Sequence, residues 1–423
     1  MSAGGGRWFI DVSYTRTQHG NVGITRAVRR LQDELAVAVG CVPVVFHRSG
    51  FRRLVSQQGA PAQRTADDSA AARLFRWLNT DIVRRLVSRL PLALLHRAWA
   101  WVSGATFNTL GAREEPMVFR AGDRLVLADQ SWNYPAWRAA LAARTQGASV
   151  VLVVYDLIPL RRPEFCPPLF TRAFRHWLLH MLACSDAVVC ISAATRDDLA
   201  AWCAQEKIAL PPATHFRLGS DLPVAAAGAV RAGLAGFTAA TAPFFAIVGT
   251  IEPRKNHVLL LAAFEQIWRE GSPARLLVAG RPHAECSALV ERLKGHPEQG
   301  RRLLTLFDAS DAELARAYEA CRALVFPSLA EGFGLPLVEA RTRGCPVIAS
   351  DLPALRELAD QGVYLFRAND EGGLAALLRA HTATDHRPDA GTMPDFTWRQ
   401  SADALRRVVD GMLPPSPAQP SGH

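Results

Sequence analysis

Two carboxylates, Glu331 and Glu339, stand eight positions apart in FPSLAEGFGLPLVEA, on either side of Gly332, Phe333, Gly334, Leu335 and Pro336. Glycine lets backbone amides approach a ligand closely, and amides that converge at a helix N-terminus form an anion site. Carboxylates accept hydrogen bonds strongly, so they suit sugar and ribose hydroxyls. The stretch therefore carries the parts to hold a diphosphate with one carboxylate on each side. Spacing alone also allows a plain strand-to-helix turn with one capping and one surface glutamate.

A cationic partner lies about 80 residues earlier, in GTIEPRKNH (Gly249–His257), where Gly249 ends a strand and Arg254-Lys255 precede a helix. A nucleoside diphosphate that leaves a sugar gathers charge on its phosphate oxygens, and a cationic clamp stabilises that charge. The chain has three lysines, Lys207, Lys255 and Lys294, against 45 arginines among 48 basic residues. A lysine here points to a need for the compact ammonium. The alternative is a pair of solvated basic residues after a proline turn. A third candidate, Asp156, follows Tyr155 at the end of the apolar run VVLVVYDL. It is placed either to orient an acceptor hydroxyl or to cap the next turn. Gly20 and Gly23 lie between the first strand and first helix, but not in the G-x-G-x-x-G spacing of a dinucleotide site.

These groups need strands that end together and helices that start beside them. WFIDVSY, VVLVVYDL, AVVCIS, FFAIVGT, ARLLVAG, LLTLFD and ALVFPS read as strands, with helical patterns between them. Ser192 is the expected N-cap of AATRDDLAAWCAQ, and Pro336 the expected first residue of its helix. The alternation predicts an α/β fold with two Rossmann-like parallel-sheet domains facing each other across a cleft. The expected boundaries are 1–222 for the first domain and 244–395 for the second. Residues 223–243, rich in small side chains, read as a linker. Residues 396–413 read as one more amphipathic helix, and 414–423 as a disordered tail.

A length of 423 residues exceeds one ordinary core, and 49% hydrophobic with 21% charged residues fits a globular protein. No apolar run approaches the ~18 residues of a membrane span, and the N-terminus lacks a signal-peptide pattern. A cytoplasmic protein is expected. The eight cysteines form no C-x-x-C pair and read as reduced core residues. The net charge of +9 suits phosphates and anionic membranes; no basic run with interleaved aromatics marks a nucleic-acid module. Arg73–Val102 carries six arginines against one acid, Asp81, among Leu, Val and Trp. It reads either as an amphipathic contact to an anionic membrane surface or as a core helix pair with a solvated face.

The string PSLAEGFGLPLVEA with GCPVIAS, together with Glu-Pro-Arg-Lys, resembles the retaining GT-B glycosyltransferases of family 4, the glycosyl transferases group 1, mannosyltransferase-like. The likeness covers most of residues 145–413 and thins over 47–118. It implies that Glu331 contacts donor-sugar hydroxyls, that amides around Phe333, Gly334 and Leu335 hold the diphosphate and sugar, and that Glu339 binds the ribose. Gly280 and Arg281 would lie near the nucleotide, and the last helix would cross back onto the first domain. Gly23-Ile24-Thr25-Arg26 resembles the family's phosphate and acceptor turn but lacks its double glycine. Tyr155 stands where the family often has His, which makes Asp156 the acceptor-side candidate. With no D-x-D string, the Arg254-Lys255 clamp would replace a metal. The implied reaction is metal-independent and needs no cofactor. It moves a hexose from a nucleotide sugar, GDP-mannose as first choice over UDP and dTDP sugars, to a polysaccharide or lipid-linked acceptor with retained configuration. A nucleotide-sugar epimerase or hydrolase on the same fold, and a silent binding subunit, are the alternatives.

Overall fold

Short Val-, Ile-, Leu- and Phe-rich runs, buried on both faces, form two sheets whose parallel strands are linked by covering helices. The computed structural model describes residues 6–18, 23–56, 113–221, 230–384, 386–391, 393 and 396–414. Gly20, the basic stretch Arg73–Val102 and most of the expected tail lie outside the described residues. The chain divides into two compact units, Met1–Gly219 with Trp398–His423, and Ser220–Thr397.

The first unit contains β1 (Trp8–Asp11), α1 (Gly23–Val39), β2 (Val42–His47), β3 (Gly50–Ser56), β4 (Arg113–Pro116) and β5 (Arg124–Leu127). It continues through α2 (Ala136–Thr145), β6 (Ser149–Val154), α3 (Ile158–Arg161), α4 (Pro168–Cys184), β7 (Ala187–Cys190), α5 (Ala193–Glu206) and β8 (Ala213–His215). The sheet order is β4-β3-β2-β1-β5-β6-β7-β8. All neighbours are parallel except β2–β3 and β3–β4. This antiparallel edge was not legible in the sequence, because REEP and GFRRLVS lack the apolar run of a buried strand. Ser192 caps α5 as expected, its hydroxyl accepting from the Thr195 amide at 3.0 Å.

The second unit contains α6 (Ala232–Ala239), β9 (Phe244–Val248), α7 (His257–Arg269), β10 (Arg275–Ala279), α8 (Ser287–Lys294), β11 (Leu303–Leu306), α9 (Asp311–Ala320) and β12 (Ala323–Phe326). Then follow α10 (Leu335–Arg341), β13 (Val347–Ser350), α11 (Pro353–Arg356), β14 (Val363–Phe366) and α12 (Glu371–Ala383). The order is β11-β10-β9-β12-β13-β14, parallel throughout. The final helix, α13 (Trp398–Met412), belongs to the first unit and packs on α1 and β7. Trp398 is buried there against Gly219, where an added Cβ would lie 2.5 Å from the Trp398 amide nitrogen.

Two expectations need correction. The stretch read as a linker contains α6, whose Leu234 and Phe237 are buried one helical turn apart. Arg231 anchors its start through Glu313 at 2.6 Å and Asp308 at 2.8 Å. Two apolar residues among alanines and glycines are too few to show periodicity, yet enough to dock one short helix. Pro336 is the second residue of α10 rather than the first, because Gly334 occupies the cap and Leu335 begins the helix.

Candidate functional site in the second unit

In the second sheet the chain leaves β9 toward β10 on one side, while β12 lies on the other. The carboxyl ends of β9 and β12 thus flank the topological switch point, where open α/β sheets take their ligands. Gly249 follows β9 directly, with φ +138°. A Cβ on Gly280 would lie 1.7 Å from the Gly249 carbonyl oxygen, so neither chain end could close up with a side chain there. A short 3-10 turn, Pro253–Lys255, follows. Asn256, at φ +53°, then reverses the backbone into α7, a conformation that Asn tolerates better than most residues. The turn aims Lys255 back over the strand end, its Cε 3.9 Å from where a Gly249 Cβ would sit.

Glu331, reached five residues after β12, meets both cations. Its Oε1 is 2.5 Å from Lys255 Nζ and its Oε2 is 3.0 Å from Arg254 Nη1. Arg254 also pairs with Glu252 at 2.7 Å and donates to the Ala330 carbonyl at 3.0 Å. The Leu329 amide donates to the Arg254 carbonyl at 2.7 Å, which fastens the two βα turns together. Lys255 Nζ lies 4.6 Å from the centre of the Phe326 ring, a cation–π contact. Burial pushes the Glu331 carboxyl up, but Lys255 and Arg254 outweigh it and hold the group at about 2. Burial lowers the Lys255 ammonium, with Arg254 adding to it and Glu331 opposing. The result is an ionised group of two cations and two carboxylates, Glu252 and Glu331, in which Lys255 and Glu331 are the most deeply buried members.

The glycine-rich turn lies beside it. Gly334 has φ +110°, and a Cβ there would lie 2.8 Å from Leu355 Cδ2. Gly332 and Phe333 are buried, as is Glu339 on α10, which accepts from the Tyr318 hydroxyl at 3.1 Å. Arg281 is exposed, and its carbonyl accepts from the Ile251 amide at 2.9 Å. Gly249, Gly280, Lys255, Arg254 and Glu331 therefore form one contact group. Sequence reading missed His257, which is buried at the start of α7 with no protein partner for either ring nitrogen. Burial, with Lys255 adding to it, drives its pKa down to about 3, so it is neutral at physiological pH. Its place directly after the clamp was the available signal.

The acceptor-side candidates belong to the first unit. Gly23 begins α1 at φ +54°. Tyr155 is buried and its hydroxyl donates to the Ala128 carbonyl at 2.8 Å, joining β6 to β5. Asp156 accepts from the Ile158 amide at 3.0 Å, so it does cap the turn into α3, and it stays half-buried.

Comparison with known proteins agrees with this geometry. Residues 237–385, which contain the whole clamp, match the family described as glycosyl transferases group 1. The chain carries a glycosyl transferases group 1 domain. Over 316 residues it is 34% identical to the serotype-specific mannosyltransferase WbdA of Escherichia coli, covering 71% of this chain and 38% of that protein. It is also 31% identical over 218 residues to the D-inositol 3-phosphate glycosyltransferase of Mycolicibacterium smegmatis, 48% of this chain and 49% of that one. The chain thus spans less than half the length of these relatives. Sucrose-phosphate synthase from Thermosynechococcus elongatus superposes with a TM-score of 0.58 at 18% identity, over 96% of this chain and 95% of that one. That likeness concerns the fold, which is of the GT-B type. The transferase domain therefore sits on the parallel-sheet unit that the αβ rhythm predicted.

Proposed function

We propose that the chain transfers a hexose, mannose as first choice, from a nucleoside-diphosphate sugar to a polysaccharide or lipid-linked oligosaccharide. The observation that carries the reading is the largely buried ion-paired group of Arg254, Lys255 and Glu331 at the switch point of the second sheet. Mannose rests on the names of relatives, among them the E. coli mannosyltransferase WbdA and the O-antigen chain mannosyltransferase RfbU of Salmonella typhimurium.

In this reading the two cations stabilise charge that builds on the leaving diphosphate. Glu331 holds them in place and offers its oxygens to donor-sugar hydroxyls. Glu339 takes the ribose, and the amides of Phe333, Gly334 and Leu335 face the diphosphate. Gly249 and Gly280 keep the strand ends free of side chains where the nucleotide lies. Transfer proceeds with retention, without a metal, and the diphosphate oxygen assists removal of the acceptor proton.

Nucleoside diphosphates offered one at a time should raise the melting temperature of the protein, and the strongest should name the donor base. Lys255→Ala and Glu331→Ala should each lower transfer at least ~100-fold, the scale of one charge-stabilising group. Near-normal turnover in both variants sinks the assignment. Sugar release or conversion that ignores added acceptor would favour the hydrolase or epimerase reading.

A further inference from the structure

The first sheet has its own switch point, between β1 and β5, and two buried carboxylates lie there. Asp11 ends β1, and Asp129 comes two residues after β5. Asp129 Oδ2 accepts from the Tyr14 amide at 2.7 Å and the Thr15 amide at 2.8 Å. Its Oδ1 accepts from the Thr15 hydroxyl and the Gln130 amide, both at 2.8 Å. Asp11 accepts from the Ser13 amide at 3.0 Å, the Ser13 hydroxyl at 2.5 Å and the Tyr134 hydroxyl. Ser13 Oγ in turn accepts from the Phe46 amide of β2 at 2.6 Å. From the helix side, Arg29 of α1 donates to the carbonyls of Thr15, at 3.1 Å, and Gln18.

The chain beyond β1 is thus pinned by the Asp129 side chain just after β5, the Phe46 backbone amide of β2 and the Arg29 side chain of α1. One carboxylate that takes four donors is saturated, so Asp129 is a scaffold rather than a ligand. The crevice also differs in side-chain make-up from the one in the second unit. Asp11, Asp129 and Asp156 end or follow three adjacent strands, β1, β5 and β6. The phenols of Tyr14, Tyr134 and Tyr155 share this surrounding, and Arg16 is paired with Glu114 at 2.8 Å. These carboxylates and phenols suit sugar hydroxyls as hydrogen-bond partners.

We propose that Asp129 is a positioning residue of the transfer reaction. It fixes the backbone of Tyr14–Gln18 so that this segment presents a preformed surface to the acceptor glycan. The inference rests on the transferase reading above.

The test uses the full chain and the mannoside that the wild type glycosylates fastest from a panel of mannose-terminated oligosaccharides. Asp129→Asn puts an amide NH2 where a carboxylate oxygen accepted, so at least one pair of donors loses its acceptor. Acceptor KM should rise at least ~10-fold, while the dissociation constant for the nucleoside diphosphate stays within about twofold. Amide exchange at Tyr14 and Thr15 should accelerate. Should Asp129→Asn fail to fold, Thr15→Val removes a single hydroxyl donor and should raise acceptor KM by a smaller factor, with Thr15→Ser recovering most of it. Unchanged acceptor KM in a variant with accelerated exchange overturns the proposal. So does an equal loss of nucleotide binding and acceptor use, the mark of a merely structural role. A wild type that glycosylates no panel member overturns the transferase reading and this proposal with it; a wild type that does, beside a normal Asp129→Asn variant, overturns the proposal alone.

Discussion

Glu331 shows how a buried charge is kept. Its side chain is 7% exposed, yet two cations within 3.0 Å hold the carboxyl at about 2, against an ordinary value of 4.5. A carboxyl depressed by folding stabilises the fold fully above about 4.5, and that contribution is lost as pH falls through about 2. Acid unfolding of Glu331→Gln should therefore show a flatter stability profile than wild type between these values, measured by denaturant melts at stepped pH; equal slopes would contradict the pairing. Asp11 runs the other way. Burial and the neighbouring Asp129 raise it to about 7, so its contribution is present below its ordinary 3.8 and lost as pH rises through about 7. Asp11→Asn should remove part of the stability loss as pH rises from about 3.8 to about 7, read from the same melts. Glu331 was legible because it sits in a dense motif. Asp11 and Asp129 were not, because a lone Asp after a strand is ordinary until another lies across the neighbouring strand.

At the scale of elements, most of the parallel strands and their helices followed from apolar runs and turn residues. The exceptions share one cause, that local pattern cannot report a partner distant in sequence. β4 carries the string REEP and exists because it pairs with β3. Helix α6 exists because Leu234 and Phe237 dock and Arg231 finds Glu313. Leu234→Ala should destabilise the second unit by about 2–5 kcal/mol, the range for truncating a buried leucine, as measured by chemical denaturation. No change would return the segment to linker status. Gly280 makes the tightest backbone approach in the site, and Gly280→Ala should abolish nucleotide binding or folding of the second unit, because the 1.7 Å overlap is with backbone and cannot be relieved by a rotamer.

For the whole molecule, both sheets repeat one design, a switch point with charged residues at two adjacent strand ends. One carries a cationic clamp and the other a pair of carboxylates. The final helix belongs to the first unit, where α13 packs on α1 and Arg124 pairs with Asp410. Among the described residues no helix is long and apolar enough to cross a membrane. If the clamp does the work of a metal, transfer should persist at its full rate in excess EDTA, and a loss restored by a divalent cation would refute that part of the mechanism.

The sequence by itself determined the αβ rhythm, the glycine-rich turn, the clamp residues and the family of residues 237–385. Each is written in types and spacings within a few turns of chain, which is the range over which propensity and periodicity act. The tertiary structure decided which of those residues meet. Lys255 and Glu331 are 76 positions apart, Asp129 and Thr15 are 114, and only the order of strands in each sheet brings them within a hydrogen bond. Strand order is set by the packing of whole helices on whole sheets, and no local string contains it.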